Sequence, residues 1–382
     1  MHTPIIKQPG VWIASLAVLF ASIGLEFYGR ACGFLTTSDS LQYLSAAKSF
    51  SDSGSFLSPD GSYYSYWPPL FPIILSFFNQ PLNALAGINI ASKIILLLVL
   101  LRISDSFIQD PALKIIFLIA SLVGVHIIMI SVFVWSELIF MALIFLNTYC
   151  ALQIKKHRSF FYWLLLTGFL ACLQRNAGLF WISGVCLWLL LDSSLSLQRR
   201  ITESGICFLV CTSGLWAWNI YNTFLLPADF NFVKHNFFVD IFHNLKLTLS
   251  MFGKMIVPLK VMTMTVGILF FLALLLQSIL KMRENRNVQF LGIVLMVYTL
   301  GYLIMPYLDV FEMDRYFSVI TPIVYLFILL MVQERTHLAK LNTRILIYTM
   351  VILWLCYPLT RTFVNVKAWH ERSCSVDNAN IK

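Results

Sequence analysis

Hydrophobic runs of about 20 residues recur along the whole chain and alternate with short polar or charged breaks. A helix satisfies its own backbone hydrogen bonds in lipid, so such runs predict membrane-spanning helices, and a barrel is unlikely. The first run lacks a small-residue cleavage site, which favours a retained span over a signal peptide. We expect eleven spans, near residues 11–28, 82–101, 113–131, 134–153, 160–175, 177–192, 203–224, 257–280, 288–308, 316–333 and 344–360.

The composition supports the same class of protein. Hydrophobic residues make up 59% of the chain and charged residues only 12%. This is far from the balance of a soluble domain. No internal repeat and no soluble domain is visible in the sequence. We therefore predict an all-α polytopic membrane protein in which residues 1–382 form one transmembrane domain. Its largest segments between spans are residues 30–81 and 225–256.

The positions of Lys and Arg predict the orientation. Thirteen of them fall in one set of short loops, and only Arg175 and Arg315 fall in the opposite set. Basic residues accumulate on the cytoplasmic side, so the N-terminus is expected inside, with segments 30–81, 225–256 and 361–382 outside. The net charge of +9 is then mainly a topology signal, and it shows no clustered basic face for nucleic acid. We expect a multi-pass protein of a prokaryotic plasma membrane.

The eight cysteines separate into two groups. Six fall within predicted spans, where small buried packing residues are the usual explanation. Cys32 and Cys374 would both lie outside, where a disulfide is chemically permitted. The sequence leaves their pairing open.

The first outer segment has its own pattern. From Asp39, the residues Tyr43, Ala46, Ala47 and Phe50 recur at helical spacing, which predicts a short amphipathic helix on the membrane surface. Ser38 or Ser40 could cap it, and Tyr43 and Phe50 would face the membrane. Asp39 would sit at the N-terminal end, where the helix dipole favours a carboxylate.

A turn-forming stretch follows at 51–62, and then "YYSYWPPLFP" brings aromatic residues of the interfacial type, including Trp67. The prolines are expected to prevent a regular helix until Ile73. An acid held among such aromatics could serve as a base toward a membrane-bound substrate. An ordinary exposed Asp at a helix start is the alternative, and these residues alone do not decide between the two.

Several motifs resemble one enzyme family. "SDSLQYLSAAKSF", Gly54 and "WPPLFPIILSFF" are similar to the first outer loop of the GT-C superfamily of integral-membrane glycosyltransferases. The resemblance is to the bacterial branch related to protein O-mannosyltransferases and lipid A aminoarabinose transferases. Three further stretches fit it on the predicted outer side, and they are "WSELIF" at 135–140, "RNAGLF" at 175–180 and "DRYFSVITP" at 314–322. The resemblance covers roughly residues 10–190 and 305–333.

The resemblance implies a reaction. Such enzymes take a sugar from a polyprenyl phosphate carrier and place it on an acceptor hydroxyl outside the membrane, usually with inversion. Asp39 occupies the position of the general base. Arg175 and Arg315 are candidates for stabilising the departing phosphate. A snorkelling Arg, or a pair between Arg315 and its neighbour Asp314, is the alternative.

Other residues have candidate roles in binding substrate. Glu137 could orient the acceptor, assist Asp39, take part in a metal site, or simply cap the fourth span. Tyr316 could stack on the donor headgroup, and Tyr43 and Trp67 could shape the groove. Lys93 falls inside the second span, where a charge is costly and is read as functional unless it snorkels.

The remaining predictions concern ligands and alternatives. Segment 225–256 is expected to form an interfacial amphipathic helix that covers the lipid chain, selects the acceptor or only anchors the protein. We expect no metal and no cofactor; the partners would be a lipid-linked sugar and an acceptor glycan, lipid or protein. A transporter or flippase, which often shows repeated halves, is the main competing class. A polymerase or ligase of lipid-linked glycans is another.

Overall fold

The computed structural model describes residues 9–225, 237–257, 262–281, 285–306 and 308–375. Within these ranges the chain is almost entirely helical, and β-type backbone pairing is limited to two isolated bridges. The helices are α1 (Pro9–Gly29), α2 (Ser38–Ser53), α3 (Leu70–Ser76), α4 (Pro81–Phe107), α5 (Pro111–Val123), α6 (Val125–Val132), α7 (Glu137–Gln153), α8 (Phe160–Gln174), α9 (Gly178–Leu190), α10 (Leu197–Ile220, continued by a π-helical turn Tyr221–Leu225), α11 (Phe237–Lys254), α12 (Thr263–Lys281), α13 (Arg286–Leu303), α14 (Val310–Ser318), α15 (Thr321–Leu338) and α16 (Leu341–Ser373).

Each of the eleven predicted windows contains a helix, which confirms the all-α polytopic class. Within the described ranges, four helical segments are long and apolar enough to cross a bilayer, namely α1, α4, α5 with α6, and α16. The pair α14 and α15, bent by 67°, adds a fifth if it counts as one span. Four others, α7, α8, α9 and the first part of α12, are apolar but shorter.

Two segments outside the predicted spans differ from expectation. Residues 361–373, expected as an outer tail, continue α16 to a length of 33 residues. At about 1.5 Å per residue, such a helix extends about 50 Å. The described part of segment 225–256 forms α11, which packs closely on α12. There, a Cβ on Gly253 would lie 1.7 Å from the Thr263 carbonyl oxygen. The two helix backbones therefore touch, which only glycine permits.

The first outer segment contains two helices, as predicted, with differences at their starts. The N-cap of α2 is Thr37, which forms a capping box with Ser40, so neither Ser38 nor Ser40 is the cap itself. Helix α3 begins at Leu70, before the expected Ile73. Pro72 is compatible with this start because the first turn of a helix needs no backbone N–H donor from it.

The start of α2 is fixed to the bundle by backbone atoms. The Leu35 N–H donates to the Val132 carbonyl, and the Val134 N–H donates to the Leu35 carbonyl, both at 3.0 Å. The Ser40 hydroxyl donates to the Val134 carbonyl at 3.0 Å. The end of α6 and the start of α2 therefore lie in fixed register, just ahead of α7.

The far ends of the chain also meet. Cys32, after α1, and Cys374, after α16, form a disulfide with a Cα–Cα distance of 5.0 Å. The His370 ring stacks on Tyr28 with centroids 4.4 Å apart. The pairing left open by the sequence is thus present, and it joins the first and last long helices at one side of the molecule.

Candidate active site

Asp39 lies in the first turn of α2, in fixed register with the start of α7. Its side chain is 17% exposed, so it remains partly open to solvent. Its Oδ2 accepts a hydrogen bond from Nη1 of Arg315 on α14. A residue near the start of the sequence and one near its end thus form a direct ion pair.

Glu137 lies between two arginines. Its Oε1 accepts from Nε of Arg315 and lies 2.6 Å from Nη1 of Arg175. Glu137 is fully buried, and both guanidinium groups are more than nine-tenths buried. Asp39, Arg315, Glu137 and Arg175 therefore form a continuous chain of alternating charge, which we call the ion chain. Its formal charges sum to zero.

Two polar atoms of the ion chain have no hydrogen-bond partner among the described residues. They are Nη2 of Arg315 and Oε2 of Glu137, and both are buried. An unpaired buried donor costs about 1–3 kcal/mol, so such atoms are uncommon without a role. Arg315 therefore has one donor available for a further anionic or carbonyl group.

Local structure places both arginines. Arg175 follows α8 in an extended conformation, and a Cβ on Gly178 would come within 2.7 Å of the Ala171 carbonyl oxygen. The turn can fold back on α8 only with glycine there. Arg315 lies in the last turn of α14, whose start carries a capping box between Asp309 and Glu312.

Aromatic rings surround the guanidinium groups. The centroid of the Tyr316 ring is 5.4 Å from Cζ of Arg175 and 5.8 Å from Cζ of Arg315. The Trp135 ring centroid is 4.4 Å from Cζ of Arg315, and Trp135 Nε1 donates to the Thr37 hydroxyl at 3.0 Å. Cation–π contacts of this kind hold a guanidinium in a fixed orientation. Tyr316 thus contacts the ion chain but also stacks on Tyr302.

Ser136 is a member of the site that the sequence did not single out. Its hydroxyl accepts from Nη1 of Arg175 at 2.8 Å and lies 3.4 Å from the Tyr43 hydroxyl. Its carbonyl accepts from Gln174 at 3.1 Å. Ser136 stands inside the quoted motif "WSELIF", directly before Glu137, so the motif itself was the available signal.

Tyr43 does not face the membrane as expected. It is 1% exposed and packs on Trp67 and Phe71, with ring centroids 5.4 and 5.0 Å away. Burial raises the pKa of its hydroxyl above the ordinary value, so the group remains protonated and can donate toward Ser136. The expected direction was wrong because an α2 pinned by residues 132–134 turns this side of the helix toward the bundle.

Lys93 is not part of the ion chain. It is fully buried in α4, where its Nζ lies 2.9 Å from Oε2 of Glu26 and donates to the Ser22 carbonyl at 3.0 Å. The snorkelling alternative is therefore excluded. Glu26 also pairs with Arg30, at 3.1 Å. A charge inside the first predicted span was the available signal for Glu26, as a charge inside the second span was for Lys93.

The pair between Arg315 and Asp314, given above as an alternative, does not form. Asp314 instead lies 3.6 Å from Lys254 Nζ and 3.5 Å from Arg361 Nη2. Among the described residues no group of three or more His, Cys, Asp or Glu side chains could hold a metal ion. Residues 226–236, the first part of the second predicted outer segment, lie outside the described residues.

Comparison with solved structures shows that the fold of the chain is a known one. The chain superposes on ArnT from Cupriavidus metallidurans bound to undecaprenyl phosphate, with a TM-score of 0.61 and 11% identity, covering 95% of this chain and 77% of that one. The chain has the GT-C fold. The same ArnT in its apo state gives a TM-score of 0.57 at 13% identity, covering 88% of this chain and 62% of that one.

A second GT-C protein shares the architecture. An oligosaccharyltransferase from Archaeoglobus fulgidus, tethered with an acceptor peptide, superposes with a TM-score of 0.55 at 12% identity. That match covers 96% of this chain but only 56% of the longer archaeal protein. No protein-family profile and no curated sequence matches the chain. The resemblance of the chain to GT-C proteins is thus confirmed at the level of the fold, which does not depend on the motifs.

Proposed function

We propose that the protein is a glycosyltransferase that moves a sugar from a lipid-linked phosphate donor to an acceptor hydroxyl. The ion chain carries this proposal, because it presents a partly exposed carboxylate beside a buried guanidinium with a free donor. Two proteins of the same fold support it through their ligands, undecaprenyl phosphate in one and an acceptor peptide in the other. We take the donor to be a polyprenyl phosphate sugar.

In the proposed step the acceptor oxygen attacks the anomeric carbon of the sugar and inverts it. The Asp39 carboxylate accepts the hydroxyl proton, and the bond between the anomeric carbon and the phosphate oxygen breaks with its electron pair on phosphate. The products are the glycosylated acceptor and the free lipid phosphate. Nη2 of Arg315, which is unpaired within the described part of the chain, would donate to that phosphate.

The pairing of Asp39 with Arg315 couples the two halves of the step. A protonated Asp39 no longer neutralises the guanidinium, so Arg315 becomes a stronger partner for the phosphate as its charge develops. Glu137 holds the same guanidinium through Nε and keeps it oriented. Arg175 reaches the site through Glu137 and Ser136, and its guanidinium lies over the Tyr316 ring.

We further propose that this site faces the extracytoplasmic side of a prokaryotic plasma membrane. The disulfide between Cys32 and Cys374 supports this orientation, since structural disulfides persist in oxidising compartments. Cys32 lies between α1 and the start of α2, in the same outer segment as Asp39. The distribution of basic residues gives the same orientation independently.

The test is transfer by the detergent-purified protein, supplied with radiolabelled polyprenyl phosphate sugars and an acceptor extract from bacterial membranes. We expect labelled product from the wild type and at least about a hundredfold less from Asp39→Asn, the usual effect of losing a positioned base. Asp60→Asn is the matched control, because Asp60 is an exposed acid in the same outer segment. It should retain the wild-type rate.

Two outcomes would contradict the proposal. Transfer by Asp39→Asn near the wild-type rate would remove Asp39 from the reaction. Movement of the lipid-linked sugar between leaflets of proteoliposomes, without any glycosylated product, would identify a flippase instead.

A further inference from the structure

A large cavity lies on another side of α2, away from the ion chain. Its volume is about 1000 Å³, and it is bounded by the end of α1, the C-terminal half of α2 and the turn from α3 into α4. Apolar side chains form most of its wall, and Phe27 and Phe78 are about half exposed. The charged lining residues are Arg30, Lys48 and Asp52.

Behind this wall lies an unbalanced group of buried charges. Glu26 binds both Lys93 and Arg30, at 2.9 and 3.1 Å. Lys93 and Glu26 are fully buried, and Arg30 is 9% exposed. Two cations against one carboxylate leave one positive charge. Within the described residues, Glu26 is the one carboxylate that pairs with these two cations. A buried charge without a partner is strongly unfavourable, so the cluster calls for a further anion.

The surplus is presented to the cavity by Arg30. Its guanidinium lies between the rings of Phe27 and Phe34, with Cζ 4.2 Å from each centroid. Nε is used by Glu26, whereas Nη2 is buried and bonds to no described residue. Lys48 adds a second positive group on the same wall, and Asp52 is exposed at the end of α2.

From this geometry we propose that the cavity binds a lipid through its phosphate group. The phosphate accepts from Nη2 of Arg30 and neutralises the buried surplus, and Lys48 supplies a second cationic contact. The apolar chain lies along the aromatic wall and continues into the bilayer past Phe27 and Phe78. Lys93 then has a positioning role, because it orients Glu26 and through it Arg30. This site is separate from the ion chain and does not depend on the proposed transfer reaction.

Two sources could supply such a phosphate, the bulk anionic phospholipid or an isoprenoid phosphate. Native mass spectrometry of the detergent-purified protein, titrated with phosphatidylglycerol, undecaprenyl phosphate or phosphatidylcholine, separates them. We expect tight binding of at least one of the first two probes and little of the zwitterionic third. Equal binding of the two anionic lipids indicates bulk phospholipid, and at least about tenfold preference for undecaprenyl phosphate indicates the isoprenoid.

Two variants test the assignment by different means. Arg30→Gln removes the surplus charge, and Ala86→Trp fills the cavity from α4 without changing any charge. Each should weaken lipid binding at least about tenfold, which corresponds to about 1.4 kcal/mol. Arg158→Gln is the matched control, because Arg158 is a half-exposed arginine paired with Glu203 elsewhere. Its lipid affinity should be unchanged.

Stability separates a binding role from a structural one. Arg30→Gln leaves Lys93 and Glu26 as a neutral pair, so the lipid-free variant should melt at or above the wild-type temperature. Added lipid should raise the melting temperature of the wild type and not that of the variant. The proposal is overturned if Arg30→Gln binds lipid as the wild type does, if it melts lower without lipid, or if inorganic phosphate alone protects as well as lipid.

Discussion

At the residue scale, Glu137 is the centre of the ion chain. It has two buried guanidinium partners, whereas Glu203 has two arginine partners, Arg158 and Arg199, that are about half exposed. The two glutamates thus make the same kind of bridge in different surroundings. Solvent screens the Glu203 bridge, while the Glu137 bridge lies in a low-dielectric interior.

Glu137→Gln should therefore destabilise the protein much more than Glu203→Gln. Removing one partner of a buried ion pair costs about 3–5 kcal/mol, because the other charge is left uncompensated. Glu203 is itself buried, but its arginines are half exposed, and solvent screening reduces such a bridge toward the value of a surface pair, about 1 kcal/mol or less. Thermal melting of the two purified variants in the same detergent checks the difference. Equal melting temperatures would mean that the Glu137 arginines find other partners.

Much of the site could be anticipated from residue types. An acid after the first span and two arginines on the sparsely charged side were visible in the sequence. The roles given to Asp39, Arg175, Arg315, Glu137 and Tyr316 stay predictions, but the structure brings these residues together. The inward direction of Tyr43 was missed, because side-chain direction on α2 depends on long-range pairing with residues 132–134. Ser136 was missed although it stands inside the quoted motif "WSELIF".

At the element scale, the beginning of α2 determines where Asp39 points. The Ser40 hydroxyl accepts there from the Thr37 N–H and donates to the Val134 carbonyl, both at 3.0 Å. Ser53, near the other end of the same helix, is exposed and bonds to the Ser49 carbonyl, at 2.9 Å. The two serines differ in their connection to the rest of the bundle.

Ser40→Ala should lower transfer activity more than Ser53→Ala does. A hydrogen bond is worth about 1 kcal/mol, and loss of the bond to Val134 also frees the turn that carries Asp39. We expect the turnover number to fall at least about tenfold, with the Michaelis constant for donor little changed, because the base is displaced while the arginines remain. An effect on melting temperature alone would limit Ser40 to a structural role.

The pattern of hydrophobic residues predicted the helices well and their ends less well. Helix positions follow from local composition, so all eleven windows contain helix. Hydropathy does not predict the break at Gly124 between α5 and α6, the 67° bend before α15 or the extension of α16 beyond 360. It records neither where a span bends nor how far a helix continues into polar residues.

At the scale of the whole molecule, the disulfide closes nearly the entire chain into a loop. Cys32 and Cys374 are 342 residues apart in sequence. In the chain-entropy account, such a cross-link restricts the unfolded ensemble more as the loop lengthens, and native disulfides typically contribute about 2–5 kcal/mol. It also joins α1 covalently to α16, where the His370 ring already stacks on Tyr28 and hydrogen-bonds to the Tyr28 carbonyl.

Cys32→Ser should therefore lower the melting temperature, and mild reduction of the wild type should do the same. Cys356→Ser is the control, since Cys356 is an exposed free cysteine in α16. The cross-linked peptide should also be found by mass spectrometry in protein taken directly from native membranes. Free thiols at both positions there would contradict the extracytoplasmic orientation.

The short bridge between Leu35 and Phe133 has a consequence for recognising distant relatives. Its hydrogen bonds join main-chain atoms alone, so they set the spacing of the acid after α1 and the acid at the start of α7 without requiring particular side chains. The residue types at positions 35 and 132–134 can therefore change while this backbone geometry is retained. A search that scores two separated acids by their distance from the ends of the flanking helices would find this architecture where matching of residue identities fails.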